Sequence, residues 1–157
     1  MRRRICTLVA LAAVSALLLG SGLPAKAEEP KKFESTLAAP AGGGGHSLAS
    51  ELACPGPGAA DGTSYRWIDL KGGYTHFKLT GPPHLFNQPA PVHDANDYDM
   101  DMFVFDDKCK QIGEGATPAG GEKTSTKRPA RFVLVDYFLG VQPNLKFTLL
   151  VSNSPIK

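Results

Sequence analysis

From residue 28 to the end of the chain, no window carries a sustained 3.6-residue apolar period. Apolar residues occur instead in short runs, most of them alternating with polar ones, and turn-forming residues separate the runs. That pattern excludes a helical bundle and sets an antiparallel β-sandwich as the expected fold. Gly (17) and Pro (13) make up about a fifth of the 157 residues and sit mostly between the runs.

The expected strands are 65–70, 74–79, 99–106, 131–139 and 146–152. Lys71, Gly72 and Gly73 read as a turn between the first two. In the third, Met100, Met102 and Val104 share one face and Asp99, Asp101, Phe103 and Phe105 the other. Residues 131–139 are apolar on both faces, which suits a central strand between two layers. The prolines at 82, 83, 89 and 91 make 81–97 a long connection, and 113–129 reads as a Gly/Thr/Ser-rich loop.

The N-terminal segment has the layout of a secretory signal. Arg2, Arg3 and Arg4 precede an apolar run over 5–19, and Ala25-Lys26-Ala27 supplies small residues for cleavage. The run is shorter than the ~20 residues a membrane-spanning helix needs, so no anchor is expected after cleavage. Residues 28–50, with Gly42 to Gly45, read as a flexible leader, and 51–157 as a single domain. Four of the 17 Lys and Arg lie in the signal, which leaves 13 against 15 acids. A net of −2 argues against nucleic-acid binding. Outside the signal the cysteines are Cys54 and Cys109, and an even count in an exported chain predicts one disulfide.

Three phrases carry a family resemblance: residues 65–73, an aromatic strand with a Gly turn; residues 99–106, two acids one residue apart opening an aromatic run; and the closing pair 131–137 and 146–151. Over residues 60–153 the chain resembles the bacterial pre-peptidase C-terminal domain. The resemblance implies a small jelly-roll-like β-sandwich, the kind attached to many secreted proteases, with calcium-binding modules among its relatives.

Candidate chemistry is concentrated in the acids. Asp94, Asp97, Asp99, Asp101, Asp106 and Asp107 fall within fourteen residues. Asp99 and Asp101 share a strand face and Asp97 precedes them, so these three are the candidate calcium ligands, with solvated strand-end acids as the alternative. Met102 stands where an EF-hand loop needs Gly, so that motif is excluded. Trp67, Phe103 and Phe105 are candidate binding aromatics, unless they pack on a second layer. His46, His76, His84 and His93 lack the spacing of a zinc site, and no serine sits in a Gly-flanked elbow.

The expected function is therefore a secreted, monomeric, non-catalytic module that binds an extracellular protein or polymer. A secreted protease inhibitor presenting loop 81–97 is the alternative. A metal-assisted hydrolase using Asp99 and Asp101 is a third reading.

Overall fold

A computed structural model describes residues 28–40, 54, 64–82, 98–117, 121–140 and 142–157. The described residues form one six-stranded antiparallel sheet and no helix. The strands are β1 (Lys31–Leu37), β2 (Tyr65–Thr80), β3 (Tyr98–Phe105), β4 (Gln111–Gly115), β5 (Gly121–Gly140) and β6 (Leu145–Ser152), in the spatial order β1-β6-β2-β5-β3-β4.

Two long strands organise the sheet. The first half of β2 pairs with the second half of β5, from Tyr65 opposite Asp136 to Asp69 opposite Phe132. The second half of β2 pairs with the first half of β5, from His76 opposite Ser125 to Thr80 opposite Gly121. Between these stretches the ladder slips twice. From Asp69 to Tyr74 the chain takes five steps while β5 takes two, and from Tyr74 to His76 β2 takes two while β5 takes five. The two bulges compensate, so both halves keep their register. They also touch: a Cβ on Gly73 would lie 2.7 Å from the Pro129 ring.

Asp69 fastens this region. Its carboxylate accepts hydrogen bonds from the Lys71 backbone N–H (3.0 Å) and Nζ (2.6 Å), and it pairs with Arg131 Nε at 2.9 Å. Lys71 adopts φ 55°, the left-handed conformation that lets the strand kink without reversing. The expected turn at 71–73 is thus a bulge inside one 16-residue strand.

One face of the sheet builds the main core. Leu37, Leu70, Phe77, Leu79, Met100, Met102, Val104, Val133, Val135, Leu149 and Val151, contributed by five of the strands, are each at most 1% exposed. The core-facing half of β3 is the set alternation predicts, Met100, Met102 and Val104. On the opposite face of β3 and the second half of β5, Trp67, Phe103, Phe105 and Leu134 form a second cluster, backed by Cys54, Tyr65 and Phe132. The whole of β3 is consequently buried.

Two further expectations give way. Residues 31–37, assigned to the leader, pair along their length with β6 as an edge strand. Phe33 and Leu37 are its inward apolar residues, too few to register as an alternating run. The loop expected over 113–129 contains the end of β4 and the first nine residues of β5. Inward positions there are Glu122, Thr124 and Thr126, so the strand has no hydropathic signature. Glu122 is buried because Thr117 donates to it through its N–H (3.0 Å) and hydroxyl (2.6 Å).

Candidate functional site

The acids that dominate the sequence lie on the second face of β3 and β5. Asp101 stands directly opposite Asp136, and Asp136 directly opposite Tyr65, so one cross-strand row reads Tyr65, Asp136, Asp101. Asp99 lies one position along the same face. These acids are not solvated: Asp99 is 8% exposed, Asp101 7% and Asp136 0%. Neither carboxylate oxygen of Asp136 has a hydrogen-bond partner among the described residues.

Burial pushes the Asp101 carboxyl up to about 7, and the negative charges of Asp99, Glu122 and Glu114 push in the same direction. Asp136 is likewise pushed up to about 7, first by burial and then by Asp101 and Asp99. Among the described residues no cation offsets these effects, so the pair holds a proton in conditions where an exposed aspartate is fully ionised. Among the described residues no group of three or more His, Cys, Asp and Glu is gathered to hold a metal ion. Asp97, the third candidate calcium ligand, lies outside the described residues, as do His46, His84, His93, Asp94 and most of loop 81–97.

Asp106 has a local task. Its carboxylate accepts from the backbone N–H groups of Lys108 (3.0 Å) and Lys110 (2.9 Å), which holds its carboxyl below the usual range. These bonds shape the turn that presents Cys109 at φ 60°. Cys109 and Cys54 lie at disulfide distance, with Cα atoms 5.6 Å apart, as the cysteine count predicts.

The candidate binding aromatics are interior. Trp67, Phe103 and Phe105 are 7%, 6% and 4% exposed, and the Trp67 and Phe105 rings meet at 5.0 Å. They pack in the second apolar cluster rather than forming an exposed strip, because that face is covered where an open sheet would leave it wet.

What the surface offers lies on the other half of the sheet. Lys32, Glu34 and Thr36 of β1, Lys146, Thr148 and Leu150 of β6, and His76, Lys78 and Thr80 of β2 alternate with core residues and face away from them. Glu34, Thr148 and Thr80 form one cross-strand row, with Thr36 beside Lys146 in the next outward row. These residues line an open groove of about 560 Å³ that ends at Gly81 and Pro82. Sequence reading missed both Asp136 and this groove. Asp136 is signalled only as one acid inside the apolar run 132–139, and the groove depends on strands whose pairing the sequence does not state. In comparisons with known proteins, no family model, curated protein or solved structure matches the chain.

Proposed function

We propose that the chain is a secreted, non-catalytic binding module, a jelly-roll-like β-sandwich of the pre-peptidase C-terminal type, whose partner is an extracellular polymer. The observation that carries the polymer reading is the open groove on the outer sheet face, lined by the hydroxyls of Thr36, Thr80 and Thr148 with Glu34 and Lys146 alongside. Hydroxyls and charged groups on a paired, rigid sheet present fixed donors and acceptors to an extended chain. The Cys54–Cys109 pair supports an oxidising destination. The burial of Trp67, Phe103 and Phe105 moves the expected contact surface from the aromatic face to this groove.

Pull-down on insoluble neutral and acidic polysaccharides tests the reading. The protein is expected to be retained with the polymer chemically unchanged, and Thr148→Tyr, which fills the groove, is expected to release it. No retention on any polymer, or turnover of the polymer, overturns it. Secretion is tested by the intact mass of the exported chain, expected to begin at residue 28 and to lack two hydrogens. Calcium stabilisation is tested by thermal unfolding with calcium and then with chelator. Saturation at a hundredfold the Kd raises stability by about 2.7 kcal/mol, and an unchanged Tm removes calcium from the reading.

A further inference from the structure

The outer face of the sheet sets three lysines in one cross-strand line. Register sets Lys32 opposite Leu150, Leu150 opposite Lys78, and Lys78 opposite Lys123. Their neighbours along each strand, including Phe77, Leu79, Glu122, Leu149 and Val151, are buried, so the row points outward. With strands about 4.8 Å apart, Lys32 and Lys78 stand about 10 Å from each other and Lys123 about 5 Å further on. Lys146 extends the charge along β6 to the hydroxyl-lined groove.

Part of this row is partnered, and Lys123 and Lys146 remain open. Lys32 pairs with Glu34 at 2.7 Å, and Lys78 Nζ donates to the Lys157 carbonyl at 2.8 Å. Lys123 and Lys146 have no ion pair among the described residues. Lysine on an edge strand discourages pairing with another chain, which accounts for Lys32. β2 and β5 lie inside the sheet, so that explanation does not reach Lys78 and Lys123. Like charges directly opposite on antiparallel strands are destabilising, and Lys78 and Lys123 stand directly opposite each other.

We infer that this face binds a linear acidic polysaccharide, with its carboxylates on the Lys32–Lys78–Lys123 row and its ring hydroxyls in the adjoining groove. The inference rests on the polymer-binding reading above and names the ligand class. Two features favour a sugar polymer over nucleic acid. The row contains Leu150 and adjoins Thr148 and Thr80, and among the described residues it holds no aromatic platform on which bases could stack. Without its signal segment the chain carries a net of −2, so the attraction is local to one face.

Affinity electrophoresis of the purified protein through gels containing soluble polygalacturonate, neutral dextran or duplex DNA tests this. Retardation by polygalacturonate is expected, declining as salt rises, with dextran without effect and DNA much weaker. Lys78→Gln with Lys123→Gln is expected to weaken retardation about tenfold, the loss of two charge contacts, with the protein still folded and its Tm not lowered. Lys108→Gln with Lys110→Gln makes the same charge change on the β3–β4 turn and is expected to bind normally. Equal loss in that control, or equal retardation by DNA, overturns the inference in favour of unspecific charge attraction. Retention by neutral polymers alone overturns it and leaves the binding reading intact; retention by none removes both.

Discussion

The two halves of the sheet solve opposite problems. In the half built by β3 and the end of β5, both faces are covered, and three aspartates are covered with them. In the half built by β1, β6 and the far ends of β2 and β5, one face is dry and the other carries lysines, threonines and Glu34 in water. In the first half Asp101 and Asp136 are desolvated, and the described charges that act on them are negative. Charge on the outer face of the second half is solvated and has little structural consequence, while Glu122 is held inside by Thr117. The lesson is that charge density in a sequence says little about surface: the densest acidic stretch contains some of the most buried acids, and the scattered lysines form the coherent outer row.

Five substitutions press on that contrast. Met102→Ala, which empties a fully buried position shared by both halves' core, is expected to lower stability by about 2–5 kcal/mol in urea unfolding. Leu150→Ala, on the wet face of β6, is expected to stay within about 1 kcal/mol. If the two changes cost the same, the assignment of wet and dry faces fails.

Asp136→Asn probes the buried acids through pH. Because Asp101 and Asp136 have folded values raised from the ordinary 3.8 to about 7, the folded state binds more protons than the unfolded one between those limits. Their contribution to stability is complete below about pH 4 and is lost as pH rises through about 7. The wild type is therefore expected to weaken over that window. Asp136→Asn, with no charge to bury, is expected to flatten the profile and to be the more stable protein at pH 8. Parallel profiles for the two proteins would remove the pair as the cause.

Asp69→Ala tests the clasp between the halves and is expected to cost about 1–2 kcal/mol, the scale of a hydrogen-bonded ion pair at a partly exposed site. The Lys71 hydrogen bonds, with Arg131, hold the Asp69 carboxyl down at about 2. Its contribution is thus present above about pH 4 and is lost as pH falls toward 2, opposite in sign to the buried pair. Melting curves between pH 2 and pH 5 distinguish the two. Smallest of all, Lys123→Gln is expected to raise Tm slightly by removing a like-charge neighbour of Lys78. A clear fall in Tm would mean that Lys123 supports the fold.

Legibility in the sequence followed the same divide. β3 and the second half of β5 were readable because their apolar residues are dense, and the core-facing sets Met100, Met102, Val104 and Val133, Val135, Tyr137 fall as alternation requires. β6 was readable because one of its faces is wet and the other dry. β1 and the first half of β5 were not, because their inward residues include Ser35, Thr124 and Glu122, which stay inside through pairing and hydrogen bonds rather than hydropathy. The Gly pair at 72–73 reads as a reversal only when the matching bulge at 126–129 is unknown. For the candidate site, Asp99 and Asp101 were found by spacing, whereas their burial and the partnership with Asp136 depend on register across strands.

That matched pair of bulges also sets what insertions and deletions the chain can absorb. Side chains along a strand alternate with a period of two, so the three residues at 71–73 act as a parity setting for everything after them in β2. Deleting one of them alone would send Phe77 and Leu79 into water and turn His76, Lys78 and Thr80 toward the core, erasing the lysine row and the groove together. Length changes in this segment are tolerable in twos, or when the opposite bulge at 126–129 changes in step. The length of a short glycine-bearing kink thereby decides which chemistry the protein shows to the outside.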